Sequence, residues 1–446
     1  MIDLLLKLGF HTVPASFYGE IANWLAWYQG EVSDFHSYAQ FNGRRRIQRK
    51  RASLGMAKRV CEDWANLLLN ERVDISTPNA AHTKRLWDIL TNNNFRMRAN
   101  QLVELAFALG TGAFVEYKDG FDVKLDYVRA DMVFPLGWDQ AGVYECAFAS
   151  EKMVDGKRAV YLQIHQKEGG RYVVKNALFD YGTHAQVPLP KGVEATFYTG
   201  SEKPLFQLIS PNLVNSVDLG CPMGMSVYAG ALDVLKGIDL VYDSYQNEYR
   251  LGKKRIVVPV GMAQLLGGEG MVPVFDDNDT EFYAIAGGDA ITDLREINME
   301  IRSAQHKEGL MQNLRLLADK CGLGADRFSY ERSGVKTATE VISEKSDLYQ
   351  NLKKHELVLK KALLDLSRAV LFLDGVDQAD IRVDFDDSII TDTQTAFSQN
   401  VKLLELGVMR PDEFRQWWFH ESPAQAKRAL SLDESLSAGP DVKLTP

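Results

Sequence analysis

The sequence predicts an α+β protein built around unusually long helices. The stretch from Ile291 to Leu373 reads as two long helices separated by a polar hinge that contains glycine. The first half of the chain contains several short segments in which apolar and polar residues alternate, as in half-buried strands. A short strand-and-turn segment also lies between two helical segments. We therefore expect a β-rich N-terminal part, a helix pair with a small β unit at its tip, a very long helix and a short helical C-terminal part.

Length and composition are those of an ordinary globular protein. The 446 residues suffice for two or more hydrophobic cores, and 46% hydrophobic with 25% charged residues is normal for a folded chain. No run of 18 apolar residues occurs and the N-terminus has no basic segment, so we expect neither a membrane span nor a secretion signal. The four cysteines have no paired spacing, which predicts reduced and mostly buried thiols.

Charge is distributed unevenly. The net charge of −9 argues against a protein that holds DNA tightly, because such proteins carry a basic surface. The densest charge run is basic and covers Arg44 to Arg51. Two interpretations of this run are open: a contact with nucleic acid or an acidic partner, or a solvated helix start or strip of ion pairs between subunits.

The first 220 residues predict helices followed by strands. Tryptophans 24, 27 and 64 lie in amphipathic helical segments between about Phe17 and Asn70, and a further helix is expected from Phe95 to Leu109. Alternating segments predict five strands, at Ala113–Tyr117, Val123–Val128, Tyr144–Phe148, Ala159–Ile164 and Tyr172–Val174.

The middle of the chain predicts a stalk with a tip. A helix is expected from about Val227 to Arg250, followed by a compact β unit with strands at Ile256–Pro259 and Val272–Phe275. A second helix is expected from Ile291 to Leu317, because apolar residues recur there at three- and four-residue steps. The members of this apolar face that we predict to contact a neighbouring subunit are Leu294, Ile297, Ile301, Leu310 and Leu314.

The longest predicted helix runs from Thr337 to Leu373 without Gly or Pro. At about 1.5 Å per residue it would span roughly 55 Å. A lone domain cannot bury helices of this length, so we expect the protein to assemble from several copies. Beyond it we expect a strand at Ile381–Phe385, a helix from about Asp392 to Leu406, and a final helical turn ending near Phe414.

Catalytic motifs are missing from the sequence. It contains no phosphate-binding G-x-x-x-x-G-K-[ST] loop, no G-x-S-x-G and no H-x-x-x-H. Gly110–Gly112 precedes a strand and is interpreted as a turn, and Asp276–Glu281 lacks the glycine of a calcium loop and is interpreted as a hairpin turn. Asp384, Asp386 and Asp387 fit an exposed strand end better than a metal-dependent nuclease site. We expect no enzyme activity, no cofactor and no metal.

Several segments together resemble one family. The most specific is Ser333–Glu344, at the start of the long helix, and the others are Trp27-Tyr28 with the basic run, Val60–Glu71, Ala229–Arg250 and Leu406–Glu413. In composition and order these segments resemble the portal proteins of tailed bacteriophages, of the small siphophage type. The resemblance covers nearly the whole chain.

The resemblance implies a portal-type architecture with a β-rich wing, a two-helix stem, a small β clip, a long tunnel helix and a short helical crown. The implied boundaries are 1–222 for the wing, 223–251 for the first stem helix, 252–290 for the clip, 291–320 for the second stem helix, 321–336 for the tunnel loop, 337–373 for the tunnel helix, 374–391 for a strand returning to the wing, and 392–446 for the crown and tail.

The resemblance also implies a function. Portal proteins form a ring, usually of twelve copies, at one vertex of the capsid, and double-stranded DNA passes through it during packaging and ejection. The implied partners are a separate terminase, a head-completion adaptor, and the major capsid and scaffolding proteins, with no membrane. The implied location is the virion, and the host cytoplasm during assembly.

The hinge is the expected DNA-facing element. Two glycines, Gly322 and Gly324, predict a mobile loop, and the residues expected to face the channel are Lys320, Arg327, Tyr330, Arg332 and Lys336. The alternative is that the cations pair with Asp319, Asp326, Glu331 or a neighbouring subunit. Because a conduit must not bind its cargo tightly, the acidic net charge is compatible with this function.

An alternative function is a head-completion or scaffold-type structural protein that forms a ring without contacting DNA. A helix pair together with a tunnel-type helix favours the portal. A nuclease or methylase is a more distant alternative, which the missing motifs disfavour.

Overall fold

The protein contains both helices and β-sheets, as the sequence predicts. A computed structural model describes residues 1–41, 45–69, 73–154, 156–251, 255–259, 282–285, 295–297, 300–329, 338–376, 380–385, 393–419, 421 and 425–430. The chain forms two compact units, Met1–Asp384 and Phe385–Pro446. No helix within the described ranges is long and apolar enough to cross a membrane.

The helices of the first unit agree with the sequence prediction at several bounds. The helix predicted from Phe95 to Leu109 is found with those ends, and the long helix is found within one residue of its predicted start. The helices are α1 (Ile2–Lys7), α2 (Ala15–Gln29), α3 (Ser33–His36), α4 (Met56–Leu68), α5 (Ala80–Asn92), α6 (Phe95–Leu109), α7 (Leu232–Leu251), α8 (Ser303–Lys320) and α9 (Ala338–Leu373).

All five strands predicted in the N-terminal part are present, as β4, β5, β7, β8 and β9, and each is longer than predicted. The strands are β1 (Ser37–Phe41), β2 (Arg46–Lys50), β3 (Asp74–Ser76), β4 (Gly112–Asp119), β5 (Asp122–Arg129), β6 (Val133–Asp139), β7 (Gly142–Val154), β8 (Lys157–Glu168), β9 (Arg171–Asp180), β10 (Gln186–Val187), β11 (Thr196–Tyr198), β12 (Phe206–Ile209), β13 (Arg255–Pro259), β14 (Phe282–Ile285), β15 (Arg295–Ile297) and β16 (Arg382–Asp384).

The largest sheet has the order β10-β9-β8-β7-β6, with β11 also paired to β9, and all of these pairs are antiparallel. Helix α1 covers one face, because Leu4 and Leu5 pack with Phe134, Leu162 and Phe179 in one apolar cluster. The N-terminal leucines therefore belong to a hydrophobic core. A second sheet has the order β12-β4-β5.

The basic run is a hairpin. Strands β1 and β2 pair antiparallel, with Phe41 opposite Arg46 and Ser37 opposite Lys50. The interpretation of this run as a helix start is therefore wrong. Its alternation of exposed and half-buried residues has the two-residue period of a strand.

The helix predicted to start at Ile291 begins at Ser303 instead. Residues 295–297 form strand β15, which pairs antiparallel with β13. The apolar spacing fitted a helix, but the ladder bonds to β13 come from a distant part of the chain, which periodicity cannot register.

A small sheet lies in sequence between α7 and α8, with β13 parallel to β14 and antiparallel to β15. The strand predicted at 256–259 is part of β13, and the one predicted at 272–275 lies outside the described residues. After α9, strand β16 pairs with β3, so the chain returns to its N-terminal part at Val383 opposite Ile75.

The described part of the second unit includes two helices close to those predicted, α10 (Thr393–Glu405) and α11 (Pro411–Phe419). The backbone N–H of Arg410 donates to the Glu413 carboxylate at 2.9 Å, which satisfies a free donor at the start of α11. The ring of Phe397 lies 4.5 Å from that of Trp418. This aromatic contact holds the two helices together.

Candidate functional site

The predicted channel loop starts with a helix-terminating turn. At the end of α8, the N–H of Leu323 donates to Ala318 O and the N–H of Gly322 donates to Asp319 O, each at 2.9 Å. These two bonds form a Schellman motif, which requires a left-handed residue after the helix. Gly322 supplies it with φ 76°. The glycine therefore sets a defined helix end, in addition to any freedom it gives the loop.

Two side chains from other helices hold this turn. The indole Nε1 of Trp64 on α4 donates to Cys321 O at 3.0 Å, and Nδ2 of Asn351 on α9 donates to Gly322 O at 3.1 Å. Leu323 and Phe328 are buried. The described part of the loop is thus packed between α4 and α9.

Arg327 is engaged inside the chain. Its Nε donates to Oδ2 of Asp63 at 2.8 Å, and Arg59 reaches the other oxygen of Asp63 at 3.1 Å. The Asp63 side chain is only 3% exposed, whereas that of Arg327 is 36% exposed. A buried carboxylate needs such charged partners, because removing it from water unpaired is costly. Arg327 therefore has a structural partner, and it is not one of the carboxylates that the sequence suggested.

Of the other residues predicted to face the channel, Lys320 is described by the structure and three are not. Lys320 Nζ donates to Gly230 O at 3.1 Å, while Asp326 accepts from Arg315 at 2.7 Å. Tyr330, Arg332 and Lys336 lie outside the described residues. A contact of any of these side chains with DNA stays a prediction.

The titratable groups around this loop are those of a closed core. Burial raises the pKa of the Cys61 and Cys321 thiols, so neither is a reactive thiolate. Burial also lowers the pKa of His355 to about 4. The His355 ring stands edge-on to Trp64 and Phe107, and its Nδ1 accepts from the N–H of Asn212 at 3.0 Å. His355 is therefore a neutral hydrogen-bond acceptor that attaches α9 to the N-terminal part.

Helices α7 and α8 form an antiparallel pair. Moving along α7, Gly237 meets Asn313, Ser244 meets His306, and Glu248 meets Arg302. The His306 Nε2 and Ser244 Oγ atoms are 3.0 Å apart. The Glu248 carboxylate accepts from the Arg302 backbone and guanidinium, and these bonds lower the pKa of Glu248. This is the helix pair that the sequence predicted as a stalk.

The residues predicted to contact a neighbouring subunit differ in burial and in the element to which they belong. Leu314 is 0% exposed within the single chain, so its surface is already covered by the chain itself. Ile297 lies in strand β15, Ile301 precedes α8 and is half-buried, Leu310 on α8 is half-buried, and Leu294 lies outside the described residues. Contact of these residues with a neighbouring subunit stays a prediction.

Two apolar residues of the helix pair were missed at the sequence level. Leu240 on α7 is 47% exposed and Leu316 on α8 is 43% exposed. Each falls next to the apolar stripe of its helix, where sequence periodicity cannot distinguish core from surface. Exposed leucines on a paired stalk are candidates for contact with another copy.

The described side chains of this region make packing contacts, hydrogen bonds and ion pairs. Within the described ranges no group of three or more His, Cys, Asp or Glu side chains could hold a metal ion. Helices α7, α8 and α9 and the loop after α8 therefore present cations and exposed apolar side chains.

Comparison with known protein families identifies a portal family. The family model described as phage portal protein, SPP1 Gp6-like, matches residues 15–433. A comparison with curated proteins found no match. The family match includes α7, α8, the loop and α9, and extends from α2 into the second unit.

Proposed function

We propose that this chain, which belongs to the SPP1 Gp6-like family of phage portal proteins, forms the channel through which double-stranded DNA enters and leaves the capsid. Family membership implies a homo-oligomeric ring and a place in the virion capsid. The proposal adds the finer points: twelve copies, a DNA conduit for packaging and ejection, and docking of a terminase and a head-completion adaptor. Portal proteins in general are structural and not enzymes.

The observation that carries the proposal is the extent of the family match. It spans residues 15–433 and so includes every element of the stalk, the loop and the long helix. A head-completion protein that never contacts DNA is the weaker alternative, because the match is to portal proteins along nearly the entire chain.

The loop is the proposed DNA-facing element. Lys320 and Arg327 already have partners within the chain, namely Gly230 O and Asp63. Arg332 and Lys336, the other two cations of the predicted set, lie outside the described residues, and we propose that they make transient phosphate contacts. Few such contacts are desirable, because each phosphate contact strengthens binding and slows the passage of DNA.

Electron microscopy of the purified protein tests the ring. We expect rings with an axial hole, and a compact monomer at all concentrations would overturn the proposal. Deleting 325–330 is unsuitable as a loop test, because it removes the buried Phe328 and the Arg327–Asp63 ion pair.

Substitution of the remaining cations tests the loop. The double variant Arg332→Gln/Lys336→Gln should form normal rings but package less full-length DNA, or retain it less well. The matched control is Lys157→Gln/Lys167→Gln, which removes two exposed cations from β8. Equal packaging by the two variants would refute the role of the loop while leaving the ring intact.

A further inference from the structure

The basic hairpin β1–β2 is not explained by the proposed channel. The segment Ser37–Arg51 contains six cations and no Asp or Glu, in a chain whose net charge is −9. Such a segregation of charge keeps a local positive field that the rest of the chain does not share.

The hairpin has one face that is entirely exposed. The pairs Phe41–Arg46, Ala39–Gln48 and Ser37–Lys50 stand opposite each other, and side chains alternate between the faces of a strand. These pairs therefore share one face, and all six residues are exposed. Lys50 stands opposite the small Ser37, and Arg46 stands opposite Phe41, whose side chain is itself exposed.

The base of the hairpin is fixed to α7. His36 Nε2 and Asp239 Oδ2 are 2.9 Å apart, and the same carboxylate accepts from Ser53 Oγ at 2.9 Å and from the N–H of Leu54 at 2.8 Å. Both His36 and Asp239 are buried. Arg51 lies over the ring of Phe35 at 4.2 Å and donates to Phe35 O, so this cation serves the anchor.

The charges of Arg46 and Lys50 are little compensated by acidic side chains. Arg46 makes no ion pair within the described part of the chain. Lys50 pairs with Glu31 at 3.0 Å, but both side chains are about two-thirds exposed, and such pairs contribute little. The Nε of Arg49, on the opposite face, is buried and has no hydrogen-bond partner among the described residues.

We propose that the exposed face of this hairpin binds the phosphate backbone of double-stranded DNA. Arginine and lysine on an exposed face complement phosphate, and the guanidinium can do so through two bonds. The one carboxylate that contacts this face, that of Glu31, is itself exposed and can be displaced by a phosphate. At about 3.3 Å per residue, Arg46 and Lys50 are roughly 13 Å apart, close to the ~12 Å width of a major groove that admits a two-stranded ribbon. A two-stranded hairpin is only marginally stable by itself, and no other described strand pairs with β1 or β2.

This DNA contact is separate from the contacts proposed for the channel loop. It rests on the proposed function only because that function brings DNA to the protein. Its readout is DNA binding by purified rings, not packaging. A protein that fails to package but binds DNA through the hairpin would refute the proposed function and keep this inference.

The test compares two double variants with the unmodified protein. Binding of a fluorescent duplex of about three helical turns is measured by anisotropy between 50 and 200 mM salt. We expect Arg46→Gln/Lys50→Gln to bind about tenfold or more weakly at 50 mM, with a salt slope smaller by about 1 for each phosphate that the variant no longer neutralises. The control Lys157→Gln/Lys167→Gln should bind like the unmodified protein, and the charge-preserving Arg46→Lys should lose much less binding than Arg46→Gln/Lys50→Gln.

Three results would overturn the inference. The first is no DNA binding by unmodified rings at 50 mM salt. The second is equal binding by the hairpin and control variants. The third is loss of rings in Arg46→Gln/Lys50→Gln alone, since the hairpin would then contact a neighbouring copy of the chain instead of DNA.

Discussion

Glu116, His165 and His355 are buried in the first unit and make no ion pair with the described residues. Burial raises the pKa of Glu116 well above its ordinary value and lowers the pKa of His165 to about 3 and of His355 to about 4. Both carboxyl oxygens of Glu116 and both ring nitrogens of His165 have no hydrogen-bond partner there. His355 differs, because it accepts a backbone N–H and contacts the Trp64 ring 4.7 Å away. It is therefore the histidine that connects the long helix to the N-terminal core.

The pKa of His355 predicts acid sensitivity. The unfolded chain binds a proton near pH 6.5 and the folded chain only near pH 4, so stability falls as pH decreases between these values. The stabilisation that disappears is on the order of 3 kcal/mol. Melting temperatures measured from pH 7 to pH 4 should decline less steeply in His355→Gln. The exposed control His11→Gln should show the same decline in melting temperature as the unmodified protein. An equally steep decline in His355→Gln and in the unmodified protein would contradict the prediction.

At the scale of elements, the close packing of α7 against α8 and the glycine-terminated ends of α8 and α9 shape the central part of the chain. Helices α7 and α8 approach closely at Gly237, where an added Cβ would lie 2.7 Å from Oδ1 of Asn313. The Asn313 side chain is itself held, since its Nδ2 donates to Gly309 O at 2.8 Å. Helices α8 and α9 end in the same way, with Gly322 and Gly375 in left-handed conformations. These features fix where each helix stops and how closely the pair can pack.

Substitution of Gly237 tests the close approach. Alanine is the better helix former by about 1 kcal/mol, but here it must displace Asn313, which costs about 1–3 kcal/mol. We expect Gly237→Ala to be destabilising alone, by about 1 kcal/mol, and stabilising by about 0.5–1 kcal/mol in an Asn313→Ala background. Thermal or urea unfolding of the four proteins in this cycle measures the reversal. The same sign in both backgrounds would show that the contact does not limit packing.

At the scale of the whole molecule, ring formation requires surface that a single chain leaves exposed. Leu314 is fully covered within the chain, whereas Leu240 and Leu316 on the helix pair are each more than two-fifths exposed. On the long helix, Leu357 is 68% exposed. Apolar surface of this kind in a protein whose family forms rings indicates subunit contacts.

Leu316→Asp should therefore weaken the ring and leave the fold of the chain intact. A buried, unpaired carboxylate costs several kcal/mol at each interface, and a ring repeats that cost at every subunit. Native mass spectrometry should show smaller or fewer rings. Thr91→Asp adds the same charge at an exposed position of α5 and should assemble normally. Rings of normal size and abundance in Leu316→Asp would place the interface elsewhere.

The sequence by itself determined the features that depend on neighbours along the chain. Helices α6 and α9, the strands β4, β5, β7, β8 and β9, and the order of stalk, β unit and long helix follow from local periodicity and from Gly and Pro positions. The family was likewise identified from segments such as Ser333–Glu344, because their order and composition are properties of the chain alone.

Only the tertiary structure decided the features that depend on distant residues. The start of α8 moved to Ser303 because residues 295–297 pair with β13, and the basic run became a strand because it pairs with β1. The loop after α8 is packed because Trp64 and Asn351 bind its carbonyls and Asp63 binds Arg327. Such bonds join residues far apart in sequence, where each partner alone looks like an ordinary helix or loop residue. Their energies become available only when the whole chain has folded.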